Sequence, residues 1–93
     1  MIDPKVTYIF EVLQTTAVGI TDFSRLTGIS RMTLHRWKKG GHVKDTLRRE
    51  IAYKTALRLE KAKTWNELPL VDSYKPAMRT KLLRTIVKKM ARM

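Results

Sequence analysis

The chain has no cysteine among its 93 residues. Disulfides and thiolate zinc sites are therefore excluded, and the composition fits a reducing cytosol. Acidic residues are scarce: 8 Asp and Glu stand against 20 Lys and Arg, a formal net charge of +12 with a pI near 10.5. So small a domain repels itself at that charge. A polyanion is the natural partner, nucleic acid first and an anionic membrane surface second. No apolar run approaches the length of a membrane span. The opening MIDPKVTYIF lacks a basic start followed by a long apolar stretch, so a signal peptide is not expected and the cytoplasm, nucleoid-associated or that of a host cell, is the expected location. Catalytic constellations are missing as well. There is no glycine-rich phosphate loop, no clear pair of carboxylates and no His/Cys/Asp cluster at metal spacing, and His35 and His42 have only Asp45 near them in sequence. Neither an enzyme nor a metal or other cofactor is expected.

What is present is enough apolar residue, 43%, for a single modest core. Periodicity predicts an all-α fold of five or six helices. Asp3 and Pro4 have the chemistry of an N-cap and first helical position. Val6, Ile9, Phe10, Leu13 and Ala17 then recur at helical spacing up to Gly19. A long helix is expected from the region of Asp45 to about Thr64, burying Leu47, Ile51, Ala52, Ala56, Leu59 and Ala62, with Tyr53 and Leu57 broadening the band. Asp45–Arg49 and Glu50–Lys54 have the i,i+4 spacing of helix-supporting pairs. Thr64 to Glu67 has capping-box spacing, which predicts a short helical turn at 65–68 with Trp65 as a core anchor. Leu70 and Val71 are expected in the core.

The central stretch is Ile20 to Gly41, ITDFSRLTGISRMTLHRWKKGG. Thr21 is placed to cap a first helix, with Asp22 at its positive end and Phe23 and Leu26 inward. Gly28 suits a left-handed turn. Ser30 caps a second helix, Ile29 and Leu34 have the spacing of a hydrophobic staple, and Leu34 and Trp37 form its buried side. Gly40 and Gly41 end it. Arg31, Met32, Thr33, His35, Arg36 and Lys39 are left outward. A solvated αα-hairpin usually mixes Glu with Lys, yet no acid occurs from Ser24 to Val43.

These residues resemble the helix-turn-helix of the phage repressor/Cro family. Gly28 matches its turn glycine, Ser24 takes the place of a small residue that is usually alanine, and Ile29, Leu34 and Trp37 match buried positions. The match covers about a quarter of the chain. The resemblance implies that Ser30, Arg31, Met32 and Arg36 face base edges, with Lys39 near the far end. It also implies a core of residues 1–72 that binds double-stranded DNA sequence-specifically, as a small transcriptional regulator does. Arg31 and Arg36 can pair with guanine and Met32 can touch a thymine methyl. Ser30, Thr33 and His35 suit backbone contacts, and Lys38, Lys39, Lys44, Arg48 and Arg49 supply phosphate attraction. GISRMTLHRW also looks like the recognition segment of excisionase-type winged helices, although the following LRREIAYKTALRLEKAK is helical rather than a β-hairpin. A recombination or DNA-packaging accessory role is the alternative within DNA binding. A basic module that inhibits an acidic protein partner is the alternative outside it.

Residues 73–93 predict an amphipathic helix, with Pro76 in its first turn. Met78, Leu82, Leu83, Ile86, Val87 and Met90 form its apolar stripe, and no acid follows Asp72. The stripe can complete the monomer's core or form the seam of a homodimer reading two half-sites, and the dimer is slightly favoured. Membrane binding ranks behind both, because no Trp or Phe lies on the stripe.

Overall fold

Asp3 starts the fold as the sequence predicts: its carboxylate accepts the Lys5 amide at 2.9 Å, and Pro4 opens the first helix where no N–H is needed. The computed structural model describes residues 3–68 and 75–92. Among them lie five helices and no strand: α1 Pro4–Thr16, α2 Ile20–Thr27, α3 Arg31–Lys38, α4 Thr46–Thr64 and α5 Pro76–Ala91. Leu70 and Val71 fall outside the described residues.

The longest contact is between α1 and α4. Val6, Ile9, Val12 and Leu13 of α1 are buried, as are Ala52, Thr55, Ala56, Leu59 and Ala62 of α4. Ala52, Ala56, Leu59 and Ala62 are buried as expected, and the rest of the band expected on α4 is corrected. Leu47, Ile51 and Leu57 are exposed, Leu47 by 76%. The reason is geometric: at 100° per residue the buried face is centred near Leu59, so Leu57 lies on the opposite side, Leu47 about 115° round and Ile51 at the edge.

Helix ends differ from the expected ones in instructive ways. α1 stops before Gly19, because Ala17 takes the left-handed conformation (φ 56°) and the Val18 amide returns to the Leu13 carbonyl at 3.1 Å. Gly19, not Thr21, is then the N-cap of α2. Residues 65–68 form no separate turn of helix. Asn66 adopts φ 57° and the Glu67 amide bonds the Ala62 carbonyl at 2.8 Å, so the presumed capping box is the C-terminal stop of α4. Trp65 caps that end and is 57% exposed rather than a core anchor.

Charge pairing on the α1–α4 side crosses between helices instead of running along α4. Arg49 donates to Asp3 at 2.8 Å, Lys5 pairs with Glu50, and Tyr8 donates to Glu60. Asp45 caps α4 through the Arg48 amide and meets the Arg48 side chain at 3.3 Å, in place of the expected Asp45–Arg49 and Glu50–Lys54 pairs. Lys5 also lies 5.2 Å over the Tyr53 ring, which packs against Tyr8. Partial burial opposes the charge on Asp3, but hydrogen bonds from Arg49 and the Lys5 amide outweigh it and hold its pKa below the ordinary 3.8. The Lys5 ammonium does the same for Glu50, against some burial. Burial, reinforced by Glu60, pushes the Tyr8 phenol up.

α5 completes this core. It packs against α4 and α2, with Leu83 and Met90 buried and Leu82, Ile86 and Val87 half-buried. Of the stripe, only Met78 is openly exposed. The clasp to α2 is polar: buried Asp22 accepts Arg79 Nε at 2.9 Å and Thr80 Oγ1 at 3.0 Å. Asp22 therefore holds a helix in place, where its sequence position suggested only a favourable end charge.

Candidate nucleic-acid interface

Gly28 takes φ 76° and receives the chain from α2, its amide bonding the Ser24 carbonyl at 2.8 Å. Ser24 does more than leave room. Its hydroxyl donates to the Ile29 carbonyl at 2.6 Å and ties the turn to α2. Ser30 then caps α3: its Oγ accepts the Thr33 amide at 3.2 Å and donates to Thr33 Oγ1 at 2.9 Å. Ile29 and Leu34 on either side of that cap are both fully buried.

At the other end, the Gly40 amide bonds the Trp37 carbonyl and the Gly41 amide bonds the Arg36 carbonyl, each at 2.9 Å. A Cβ on Gly41 would lie 2.8 Å from that same carbonyl oxygen and 2.6 Å from Arg36 Cγ, so only glycine fits without displacing the α3 backbone. α3 is thus closed at both ends by its own sequence and bolted inward by Leu34 and Trp37. The Trp37 indole N–H is buried with no partner among the described residues, so this anchor holds by apolar burial and packing.

With Leu34 and Trp37 inward, helical geometry puts Met32, His35, Arg36 and Lys39 at the centre of the outward arc, Arg31 and Thr33 at its flanks and Lys38 nearer the buried side. Arg31, Met32, His35, Arg36, Lys38 and Lys39 are all exposed, Met32 by 83%, and Thr33 is half-buried. None of the four cations on this helix and its cap forms an ion pair among the described residues. His42 and Lys44 are exposed in the connection to α4, again without an ion pair there. An open groove adjoins the arc, lined by Phe10, Gln14 and Thr21 on one side and by His35, Lys38 and Lys39 on the other.

The structure separates the remaining basic candidates. Lys44 is unengaged. Arg48 is exposed but beside Asp45. The Arg49 guanidinium is bonded to Asp3, with Glu50 at 3.8 Å, which gives it a structural partner on the α1 side. Arg25 was not singled out by its sequence position, yet it is exposed in the last turn of α2; its place in the acid-free run is the one signal that pointed to it. Among the described residues no group of three His, Cys, Asp or Glu is placed to hold a metal, and no helix is long and apolar enough to cross a membrane. Comparison of the chain with protein-family models, curated proteins and solved structures finds no match.

Proposed function

We propose that this chain is a sequence-specific double-stranded DNA-binding protein, a small transcriptional regulator rather than an enzyme, in which α2 and α3 act as a repressor-like helix-turn-helix. One observation carries the reading: α3 is anchored from behind by buried Leu34 and Trp37 while its outward arc presents arginines and lysines with no ion pair among the described residues. Rigid placement matters because base reading needs donors fixed against a groove edge. Arg31 and Arg36 donate to guanine O6 and N7, and Met32 contacts a thymine methyl. His35, Lys38, Lys39 and Lys44 attract phosphates without reading sequence. Ser30 is engaged with Thr33, so at this helix start the amides of Arg31 and Met32 are the groups left for phosphate.

A titration against selected and random duplexes over salt tests this. If 6–10 phosphates are neutralised, affinity falls by ~10³–10⁵ between 50 and 200 mM salt. Arg31→Ala and Arg36→Ala each cost about 1–3 kcal/mol on the selected site and relax preference at one base pair. Equal losses on selected and random DNA make the arc a sequence-independent, architectural surface. No binding at any salt removes the DNA reading and leaves a module for an acidic protein partner.

A further inference from the structure

The cations of α5 divide into two groups. Arg79 is clasped to Asp22, and Lys89 pairs with Glu67 at 3.0 Å. Lys81, Arg84 and Lys88 are exposed and form no ion pair among the described residues. At 100° per residue these three fall within an arc of about 60° and span about 10 Å of helix. They stand at i,i+3 and i,i+4 spacing, where like charges repel, and residues 75–92 contain no acid to relieve them. A stripe of this kind disfavours its own helix unless an anion lies along it.

Arg84 shows where the stripe leads. Its Nη2 donates to the Arg25 carbonyl at 3.2 Å, in the last turn of α2. Arg25 adjoins Ser24, whose hydroxyl holds Ile29, the residue before the α3 cap. The exposed Arg25 side chain and the α5 stripe therefore flank the turn from which α3 and Arg31 begin. Resting on the DNA-binding reading of α3, we infer that Arg25, Lys81, Arg84 and Lys88 form a second phosphate track that carries the duplex past the α3 arc and reads no bases. Nucleic acid fits this surface better than a membrane. Apart from exposed Met78 the large apolar residues of α5 are buried or half-buried, and the helix has no aromatic residue, so little is left to insert into lipid.

The test is a salt titration of the full chain and of Lys81→Gln/Arg84→Gln/Lys88→Gln on selected and random duplexes, with melting curves for both. Each phosphate contact contributes about 0.9 to the slope of log affinity against log salt, so the triple variant loses roughly 2–3 from that slope. Its affinity drops by the same factor on both duplexes, and its melting temperature is unchanged or raised. Lys54→Gln/Lys63→Gln, on α4, leaves the slope as in the parent. An unchanged slope in the triple variant, in a parent whose binding still depends on Arg31, overturns the track and leaves the α3 reading standing. Equal loss from the α4 control also overturns it, because the effect is then overall charge. A parent that binds no duplex removes both readings, and stripe-dependent binding to phosphatidylserine vesicles instead assigns α5 to a lipid surface.

Discussion

Two sides of the molecule use the same residue types to opposite ends. On the α1–α4 side, Lys5, Arg49 and Arg48 face Glu50, Asp3 and Asp45, and the phenol of Tyr8 meets Glu60. On α3 and the connection after it, Arg31, Arg36, Lys38, Lys39 and Lys44 form no ion pair among the described residues. In the first arrangement Lys5–Glu50 and Arg49–Asp3 join α1 to α4 while Arg48–Asp45 closes the start of α4; in the second the cations are left exposed. A net charge of +12 does not distinguish them. What distinguishes them is whether an acid, from the neighbouring helix or from the helix's own cap, lies within reach.

The largest effects should come from pairs of neighbours on opposite faces of α3. Trp37→Ala empties a fully buried site and costs about 3–5 kcal/mol of stability. Arg36→Ala, one residue away, should leave the melting curve within experimental error and act on DNA binding alone. Denaturant melts and duplex titrations of both variants check the contrast; if Arg36→Ala also unfolds the protein, the outward arc is not free of the core. Leu83→Glu places a charge in the same core and should destabilise the monomer at least as severely as Trp37→Ala. Because Leu83 and Met90 are buried within one chain, the parent should sediment as a monomer at micromolar concentration. A dimer there, with a folded monomeric Leu83→Glu variant, would restore the α5 seam and require a different packing of that helix.

Next in size is the clasp between α2 and α5. Asp22→Ala leaves Thr80 and Arg79 without the acceptor they share and should cost about 1–3 kcal/mol, read by chemical denaturation. Smaller again is the exchange between the two charge regimes. Arg49→Ala should lower stability by about 1 kcal/mol, with little change in the salt slope of DNA binding. Lys44→Ala should do the reverse. Similar salt slopes for the two would erase the distinction between paired and unpaired cations.

The smallest effect is with pH. Asp3 and Glu50 are held below their ordinary values of 3.8 and 4.5, so their contributions are complete above those values and disappear as pH falls through the lower folded ones. Melting temperature should decline modestly on acidification below about pH 4, and Arg49→Ala should flatten the part due to Asp3. Both pairs are partly exposed, so salt should reduce the effect.

Local chemistry made much of this legible in advance. The caps at Asp3, Ser30 and Asp45, the Gly28 turn, the Gly40–Gly41 stop and the inward pair Leu34 and Trp37 depend on residues within a few positions of one another. A cap needs an oxygen at one residue and an amide two or three later, and a left-handed turn needs a residue that tolerates it. The same logic misled where two local motifs share letters: Thr64 to Glu67 reads as a helix start, but Asn66 in the left-handed region makes it a helix stop.

The amino-acid sequence by itself determined an all-α chain of five or six helices, the approximate spans of the five seen among the described residues, and which side of α3 turns inward, because periodicity and capping act over one or two turns. Tertiary structure alone decided that Leu47, Ile51 and Trp65 stay outside, that Asp22 clasps Arg79 and Thr80, and that Arg49 answers Asp3 from 46 residues away. Only packing decided these, because burial and ion pairing depend on which helix comes alongside: the local pattern of α4 marks Ala52, Ala56, Leu59 and Ala62 as inward but does not say how far round the helix the contact with α1 reaches. The unpaired cations of α3 and α5 are defined in the same way: among the described residues, they are the ones no acid of another helix came to meet.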